Sequence, residues 1–235
     1  MTDSVPRRAM VIMAHPDDPE FSVGGTIALW TAAGAEITYL ILTNGNKGHD
    51  DPAMTPERLA VLRQEEQKAA ADVLGVRQVL FFDEPDGELV PTLAVRQRVV
   101  AEIRRHQPEA IIAPDPTRYF FRDVYINHPD HRAAGEIALA AIFPAAGNRM
   151  YHPELLAAGL EPYSVKEVWL ANASAPNRWV DITAVFQTKL EAIRCHVSQV
   201  REPENLEERL RERSQAIDEY GRTVYREGFH RLVMR

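Results

Sequence analysis

The sequence predicts an α/β, Rossmann-like fold in which a mostly parallel, twisted sheet carries helices on both faces and is followed by a C-terminal extension. Short apolar segments alternate with longer amphipathic segments along the first two thirds of the chain. Strands separated by helices of about ten or more residues form parallel sheets with right-handed crossovers. The length of 235 residues and the hydrophobic share of 45% suit one large domain with a full core.

The predicted strands of this first part are apolar runs that end at proline or at turn-forming residues, and the predicted helices follow helix-start signals. The helix after Thr55, for example, has Pro56 in its first turn. In chain order we predict a strand at 9–14, a helix at 24–33, a strand at 36–43, a helix at 56–74, a strand at 78–82, a helix at 93–106 and a strand at 110–113.

The remainder of the chain is less regular. We predict an excursion rich in proline and glycine at 144–163, a strand at 165–170, a helix at 183–197 and a strongly charged helix at 203–220. No internal repeat or low-complexity linker separates these segments from the first part. We therefore expect a single domain over residues 1–235, with a core at about 8–143 and an extension at about 144–235 packed on it.

The net charge and the cysteine content limit the partners and the covalent cross-links that we expect for this protein. The chain has 27 Lys and Arg against 34 Asp and Glu, a net charge of −7, which argues against nucleic acid or an anionic membrane as the main partner. Cys195 is the only cysteine, so no disulfide can form within the chain. Because the sequence has neither a signal peptide nor a long apolar stretch, we expect a cytoplasmic location.

One histidine and two aspartates follow the first predicted strand, in the sequence Ala14-His15-Pro16-Asp17-Asp18. His15 and Asp18 can converge on one metal ion if the loop turns back. Asp17 would then project beside them, where it could act as a base on metal-bound water. The alternative is a polar loop that caps the next helix, because Asp is common at helix starts.

A second cluster, Asn127-His128-Pro129-Asp130-His131, lies beyond the fourth predicted strand and again leads into a helix. Histidine is a common metal ligand, and an aspartate beside it can fix its tautomer. The alternative is a helix N-terminus with solvent-exposed histidines. Since ligands of open α/β sheets bind at the carboxyl ends of the strands, we expect the two clusters to meet at one edge.

Together the clusters predict a catalytic metal site. Two histidines and one carboxylate are the usual protein ligands of catalytic zinc, and the fourth position is left to water. A structural zinc site prefers four closed ligands, often cysteines, which this chain with its single Cys195 does not supply. Zinc lowers the pKa of its bound water to about 7, so that hydroxide is available at neutral pH.

The motif AHPDD near the N-terminus, combined with HPDH in the middle of the chain, resembles the PIG-L/LmbE-like family of zinc-dependent N-acetylglucosaminyl deacetylases. The resemblance extends from Met10 to the segment His196-Val197-Ser198-Gln199. It implies metal-dependent hydrolysis of an N-acyl, first of all N-acetyl, amide on a glucosamine-containing small molecule. The resemblance also implies a homo-oligomer, and it allows divalent metals other than zinc.

The resemblance assigns roles residue by residue. It implies that the zinc ligands are His15, Asp18 and His131. It also implies that Asp17 is the general base and that His128 stabilises the oxyanion or protonates the leaving amine, with Asp130 orienting His128. From this pairing we expect Asp130 to raise the pKa of His128.

Two further residues are implied to contact the sugar. Arg63 matches a family arginine that contacts the sugar, and Asp86 matches an acceptor for a sugar hydroxyl. The chain departs from some family members at Ile126, where they carry a tyrosine that polarises the substrate carbonyl, and Tyr125 is the neighbouring alternative.

Other functions remain open at the level of sequence. An amidase of a sugar-thiol conjugate, a phosphoester hydrolase with two metals, and a non-catalytic sugar- or metal-binding protein are the alternatives. The phosphoester reading needs ligands for a second metal, and pure binding needs neither Asp17 nor His128. The aromatic segment at 117–125 is expected either to stack on a sugar or to pack in an oligomer, whereas His196 is expected to serve in packing.

Overall fold

The computed structural model describes residues 5–121 and 124–235. Residues 1–4 of the predicted domain, and Arg122 and Asp123 of the aromatic segment, lie outside the described residues. The described strands are β1 (Arg8–Met13), β2 (Glu36–Thr43), β3 (Gln78–Glu84), β4 (Ala110–Pro114), β5 (Phe120–Phe121), β6 (Tyr125–Ile126), β7 (Glu167–Ala171), β8 (Arg178–Asp181), β9 (Gln215–Ile217) and β10 (Thr223–Val233). The described α-helices are α1 (Asp18–Ala32), α2 (Pro56–Val73), α3 (Leu93–His106), α4 (Pro129–Ala140), α5 (Pro153–Ala157), α6 (Phe186–Arg194) and α7 (Leu206–Ser214).

The central sheet has the strand order β3-β2-β1-β4-β7-β10-β8, and β9 pairs with β10 beside this path. In this order the strands from β3 to β7 are parallel to one another, whereas β10 runs antiparallel to both β7 and β8. This arrangement confirms the predicted mostly parallel sheet. The chain moves from β1 out to β3 and then returns to β4 on the other side of β1, so a topological switch point lies between β1 and β4. In open α/β sheets ligands bind at such a point.

Helices cover both faces of the sheet because the buried strands are apolar on both sides. Met10 and Ile12 of β1 pack into the core that contains α3 and α4. Val11 and Met13, which point to the opposite face, pack into the core that contains α1, α2 and part of α6. None of the helices in the described ranges combines the length and apolar composition needed to cross a bilayer.

The predictions for the first part of the chain are confirmed for the strands and for two of the helices, within two residues at the ends. The predicted helix at 24–33 begins earlier, at Asp18, because the second aspartate of the first cluster already belongs to its first turn. Pro19 occupies the start of this helix, where its missing N–H removes no hydrogen bond.

In the C-terminal third, the strand predicted at 165–170 is confirmed as β7, but both helix predictions need correction. The helix predicted at 183–197 is a 3-10 turn, Thr183–Val185, followed by α6, which ends at Arg194. The helix predicted at 203–220 is only Leu206–Ser214, because the chain then pairs as β9 with β10. Strands β8 and β10 are missing from the prediction. In β10, the adjacent charged residues Arg226 and Glu227 interrupt the apolar pattern, although Glu227 is buried. The C-terminal part therefore adds strands to the central sheet.

Gly135 sets how closely α4 approaches the end of β4. A Cβ at this position would lie 2.3 Å from the backbone oxygen of Pro114 and 3.0 Å from Pro116. Although Gly→Ala normally stabilises a helix by about 1 kcal/mol, we expect Gly135→Ala to destabilise the protein by about 1–3 kcal/mol, because a backbone clash cannot relax easily. Chemical denaturation measures the effect.

Gly24→Ala is the matched control, because its Cβ would come no nearer than 3.4 Å, to the side chain of Lys189, which is an ordinary van der Waals contact. Gly24 also lies inside a helix, so alanine should raise or preserve stability there. Equal stability changes in the two variants would contradict the tight approach of α4.

Candidate metal and catalytic site

The first His/Asp cluster lies in the turn between β1 and α1, at the switch point of the sheet. The backbone oxygen of Ala14 accepts hydrogen bonds from both the N–H and the hydroxyl of Thr43, at 2.8 and 2.9 Å. The N–H of His15 donates to the Asp18 carboxylate at 2.8 Å. These bonds turn the loop back on itself, so that the two side chains converge.

The second cluster meets the first at the N-terminus of α4. His131 Nε2 lies 3.3 Å from His15 Nδ1 and 3.0 Å from Asp18 Oδ1. His15 Nδ1 in turn lies 3.4 Å from Asp18 Oδ2. Because the three donor atoms lie within 4.8 Å of one another, these side chains could hold a metal ion.

Each histidine of this group is oriented by a neighbour on its other ring nitrogen. His15 Nε2 lies 3.2 Å from Asp130 Oδ2, and His131 Nδ1 lies 2.9 Å from Asn127 Oδ1. An oxygen acceptor at one nitrogen fixes the proton there and leaves the other nitrogen with a free lone pair. The orientation of both rings is therefore the one that a metal ligand needs.

A second group, His15 with Asp86, His128 and Asp130, also satisfies the spacing of a metal site. It would use His15 Nε2, which lies 3.1 Å from Asp86 Oδ1. However, the Asp130 carboxylate is fully buried and already accepts hydrogen bonds from the N–H groups of Gly87 and Leu89, at 2.7 and 3.2 Å. These bonds favour Asp130 as the hydrogen-bond partner of His15 rather than as a ligand.

Carboxylates around the His15 ring control its charge. Burial lowers the pKa of His15, but hydrogen bonds to three carboxylates, that of Asp130 first among them, raise it well above the ordinary value. Burial raises the pKa of Asp18, but the charge of His131 and hydrogen bonds from both histidines hold it well below its usual range. The pocket therefore favours positive charge, which a bound cation can supply in place of a proton.

Asp17 lies beside this group with an unusual backbone conformation. Its φ of 103° is positive, which costs a residue other than glycine about 1–3 kcal/mol. Its N–H donates to Gln67 Oε1 at 2.9 Å, and Arg63 donates to its carboxylate at 3.2 Å. Burial raises the pKa of Asp17 to about 6, although the charge of Arg63 opposes the rise. A carboxylate with such a pKa suits general-base chemistry near neutral pH.

His128 is the N-cap of α4, and its Nδ1 accepts a hydrogen bond from the N–H of Asp130 at 3.2 Å. In the neutral ring the proton therefore lies on Nε2, which faces Asp86 at 3.8 Å. The expected net rise in the pKa of His128 is wrong, although Asp130 itself acts to raise it. Burial lowers this pKa and the charge of His15 lowers it further, and Asp130 only partly opposes them.

The predicted orienting contact between Asp130 and His128 is the weaker of two contacts. The nearest Asp130 oxygen lies 4.0 Å from His128 Nδ1 but 3.2 Å from His15 Nε2. The carboxylate therefore orients the histidine of the first cluster, across the sheet edge. The pattern of the motif did not reveal this, because the partner is 115 residues away in sequence.

Arg63 and Asp86, the two residues expected to contact the sugar, both border the site. Arg63 is 3% exposed and donates to the backbone oxygens of Pro16 and Gly45, as well as to Asp17. Asp86 is 6% exposed, and its pKa is lowered to about 2 because His15 and Arg63 outweigh the effect of burial. Both side chains thus already hold parts of the site in place.

Tyr125 and Ile126 belong to the small hairpin formed by β5 and β6, and both are exposed. Phe121 of the same hairpin borders a cavity of about 20 Å³ beside Asp18 and His131. A half-buried aromatic side chain of this hairpin, that of Phe121, thus lies next to the two clusters. This proximity is compatible with either expected role of the segment.

Asp115, which the sequence analysis did not select, links two loops at the same edge. Its carboxylate accepts from the N–H and hydroxyl of Thr117, at 2.8 and 2.6 Å, and from the N–H of Ser174 at 3.0 Å. The available signal was its place directly after β4, the strand next to β1. The residue thereby ties the loop after β4 to the loop after β7.

Burial raises the pKa of Asp115, but hydrogen bonds from Thr117 and Ser174 lower it by more, so the net pKa lies below its usual value. The ionised form therefore stabilises the fold above the unfolded-state pKa of about 3.9, and this contribution is lost as the pH falls through the folded-state pKa. We expect Asp115→Asn to cost about 1–2 kcal/mol at pH 7 and less near pH 3. Urea unfolding at both pH values measures the difference.

Asp181→Asn provides the control for this prediction. Asp181 makes the same pair of bonds to the N–H and hydroxyl of Thr183, at 2.9 and 2.6 Å, but its side chain is exposed. Its replacement should cost less at pH 7 than that of Asp115. A cost for Asp115→Asn that does not change with pH would contradict the proposed ionic contribution.

Comparison with known proteins gives three informative matches. Residues 10–142, which include both clusters, match the sequence model of PIG-L, GlcNAc-PI de-N-acetylase. The diacetylchitobiose deacetylase of Thermococcus kodakarensis is 38% identical over 193 residues, which are 82% of this chain and 70% of the relative. The structure of the N,N'-diacetylchitobiose deacetylase from Pyrococcus horikoshii, complexed with its inhibitor, has a TM-score of 0.87 at 31% identity, over 97% of this chain and 84% of that one.

A second structure, that of GalB, belongs to a protein with a different activity. This 4-carboxy-2-hydroxymuconate hydratase from Pseudomonas putida has a TM-score of 0.77 at 26% identity, over 97% of both chains. The fold is therefore shared by proteins that hydrolyse an amide and by one named for adding water to a substrate.

Proposed function

The chain belongs to the PIG-L family of GlcNAc-PI de-N-acetylases, and we propose that it hydrolyses an N-acetyl amide on a glucosamine-containing small molecule. The observation that carries the proposal is the convergence of His15, Asp18 and His131, with Asp17 and His128 next to them. Binding alone would require neither of the flanking residues.

The donor set fits a catalytic metal. His15, Asp18 and His131 would hold zinc, because two imidazoles and one carboxylate are its usual ligands in hydrolases, although other divalent metals accept the same donors. Asp130 and Asn127 would support the two imidazoles from their far sides. When bound, the metal supplies an electrophile for the carbonyl oxygen and lowers the pKa of a coordinated water.

The other groups divide the proton transfers between them. Asp17 would take the proton of the attacking water and pass it to the departing nitrogen, since its pKa of about 6 lies near neutral pH. His128 would donate its Nε2–H to the developing oxyanion. The lowered pKa of His128 supports this hydrogen-bonding role over protonation of the amine by an imidazolium.

The cavity beside the two clusters supports acetyl as the acyl group. Its volume of about 20 Å³ is lined by Met13, Pro114 and Phe121 in addition to polar side chains. That volume is close to the space that one water molecule needs. A methyl group is of similar size, so this space suits the methyl group of an acetyl.

Acetate release tests the proposed function. Metal-loaded protein would be incubated with N-acetylglucosamine, N,N'-diacetylchitobiose, and the malate and inositol conjugates of N-acetylglucosamine. The expected result is that acetate and a primary amine appear in equal amounts with at least one of them. A protein that holds its metal and releases acetate from none of these compounds would contradict the proposal.

The second candidate is hydration of a carbon–carbon double bond, and the similarity to GalB over 97% of both chains favours it. Such a reaction also needs a base and an oxygen-polarising group, but it produces neither acetate nor amine. The discriminating measurement is loss of ultraviolet absorbance from 4-carboxy-2-hydroxymuconate in the same preparation. Turnover of that compound without acetate release from the amides would favour the hydratase.

His128→Ala is expected to lower turnover on the order of 100-fold or more, which is the usual cost of removing one oxyanion donor. Its effect on metal affinity should be small, because the side chain is not in the proposed ligand set. Parallel measurements of kcat and bound metal separate the two effects. Loss of metal in proportion to the loss of turnover would instead place His128 among the ligands.

The homo-oligomer stays a prediction, and the exposed hairpin of β5 and β6 is the surface to test. Tyr119, Phe120 and Ile126 are more than half exposed. Light scattering of the wild type and of Ile126→Lys would measure the oligomeric state and the contribution of the hairpin to it. A monomeric wild type would leave sugar stacking as the role of these aromatic side chains.

A further inference from the structure

A chain of buried polar side chains leads from the C-terminal part of the molecule to Asp17. His196 Nε2 lies 3.0 Å from Glu20 Oε2, and the side-chain amide of Gln67 donates to the same carboxylate at 3.0 and 3.1 Å. Gln67 Oε1 then accepts the N–H of Asp17 at 2.9 Å. His196, Glu20 and Gln67 are all completely buried.

The chemistry of the groups fixes the donor and the acceptor of each hydrogen bond in this series of side chains. A carboxylate only accepts, so both His196 and Gln67 must donate to Glu20. Because the NH₂ group of Gln67 faces Glu20, its oxygen faces Asp17 and can accept the backbone N–H. A change at His196 is therefore transmitted to Asp17 through the side chains of Glu20 and Gln67.

The same C-terminal segment also fastens two other elements around Asp17. The N–H and hydroxyl of Ser198 donate to Glu66 of α2, at 2.7 and 2.6 Å. Gln199 donates to the backbone oxygen of Gly48, in the loop after β2, at 3.2 Å. The helix that carries Gln67 is thus itself held by the segment that carries His196.

Asp17 needs such external support because its backbone is strained. A residue with φ of 103° keeps this conformation only when its surroundings impose it. Its N–H bond to Gln67 is one of the contacts that do so. Without that contact, the position of the carboxylate beside the metal ligands would be less tightly fixed, although the bond from Arg63 would remain.

We infer that His196, acting through Glu20 and Gln67, is a positioning residue for Asp17. This inference rests on the proposed hydrolytic function only for its kinetic test. The competing explanation is that the buried pair of His196 and Glu20 contributes to packing and stability alone, as many buried ion pairs do.

A second buried ion pair provides a control for the explanation by packing and stability alone. Lys189 and Glu227 form a second buried pair, 2.6 Å apart, against the same helix α1. Glu227 accepts the N–H groups of Gly25 and Thr26, but no hydrogen bond joins it to Asp17. A general loss of stability in α1 should therefore follow from a change in either pair, whereas a loss of Asp17 position should follow from only one.

The kinetic test compares His196→Leu with His196→Gln, using N,N'-diacetylchitobiose as substrate. The Gln amide can replace the Nε2 donor of histidine, but leucine cannot. We expect His196→Leu to lower kcat on the order of 100-fold, the cost of displacing a catalytic group by about 1 Å, with KM and bound metal unchanged. His196→Gln should recover most of this loss.

Coupling and control variants separate positioning from stability. Glu227→Gln should lower the unfolding temperature but keep kcat within about threefold of the wild-type value. In the Asp17→Asn background, His196→Leu should have almost no further effect on the residual rate, because the positioned group is already gone. Equal kcat losses in His196→Leu and His196→Gln, or additive effects with Asp17→Asn, would overturn the inference.

Two further measurements keep the inference testable in other circumstances. If His196→Leu does not fold, Gln67→Met breaks the link next to Asp17 while leaving His196 paired with Glu20. This variant should also lower kcat with KM and bound metal unchanged, and it should have almost no further effect in the Asp17→Asn background.

If the wild type releases no acetate from any amide, the proposed function fails, and hydrogen exchange of the Asp17 amide tests the inference instead. Exchange should be at least about tenfold faster in Gln67→Met and in His196→Leu than in Glu227→Gln, and equal rates would overturn the inference.

Discussion

His131→Ala is expected to lose both the bound metal and turnover. His131 Nε2 lies within 3.3 Å of His15 Nδ1 and Asp18, so its removal leaves only two of the three proposed ligands. A bound metal supplies several kcal/mol of transition-state stabilisation, which corresponds to a fall in turnover of about 10³-fold or more. Metal analysis of the purified variant and acetate release from N,N'-diacetylchitobiose measure the two losses.

His106→Ala is the control for this prediction. His106 ends α3 and contacts Gln78 at the beginning of β3, so it lies at the opposite edge of the sheet from the proposed site. Its replacement should change neither metal content nor rate. If His131→Ala binds as much metal as the control, the second group, which is centred on Asp86, His128 and Asp130, becomes the site to test.

The location of the site could be predicted from the sequence because it follows from two local patterns. His15 comes directly after an apolar strand, and His128 and His131 lie at the start of a helix after another one. Parallel strands align their carboxyl ends, so the topology brings such residues together without knowledge of any individual contact. That rule predicts where the two clusters meet, whereas the choice of His15, Asp18 and His131 as ligands follows from the resemblance of the two motifs to the family.

The contacts that set the charge and position of these residues could not be predicted in the same way. Asp130 orients His15 rather than its neighbour His128, because the loop at Gly87 and Leu89 turns its carboxylate. His196 was expected to pack, yet it is paired with Glu20. Such pairings join residues far apart in sequence, and no period or spacing records them.

The C-terminal third shows the same limit for the fold. Strand β10 contains Arg226 and Glu227 in sequence, which is typical of an exposed segment. Glu227 is nevertheless buried, because Lys189 neutralises it and helix α1 donates two N–H groups to it. From sequence alone, a buried charged residue whose charge and hydrogen bonds are satisfied cannot be distinguished from a surface residue.

The conservative replacement Asp17→Asn is expected to abolish turnover while it preserves the metal and the fold. Asparagine has the same size, can accept the hydrogen bond from Arg63, and tolerates a positive φ better than most residues, so the loop should keep its shape. Its amide cannot take up a proton. We therefore expect turnover to fall by about 10²–10⁴-fold, the usual contribution of a general base.

Asp17→Ala separates the chemical role of the carboxylate from the conformational role of the residue. Alanine also removes the proton acceptor, but it neither accepts from Arg63 nor favours the positive φ, so it should additionally lower the unfolding temperature. Acetate release, bound metal and thermal unfolding would be measured for both variants. If Asp17→Asn with full metal content keeps its rate within about tenfold of the wild type, less than a general base contributes, the proton acceptor is another group. Asp86, which lies within 3.1 Å of His15, would then be replaced by asparagine in the same assays.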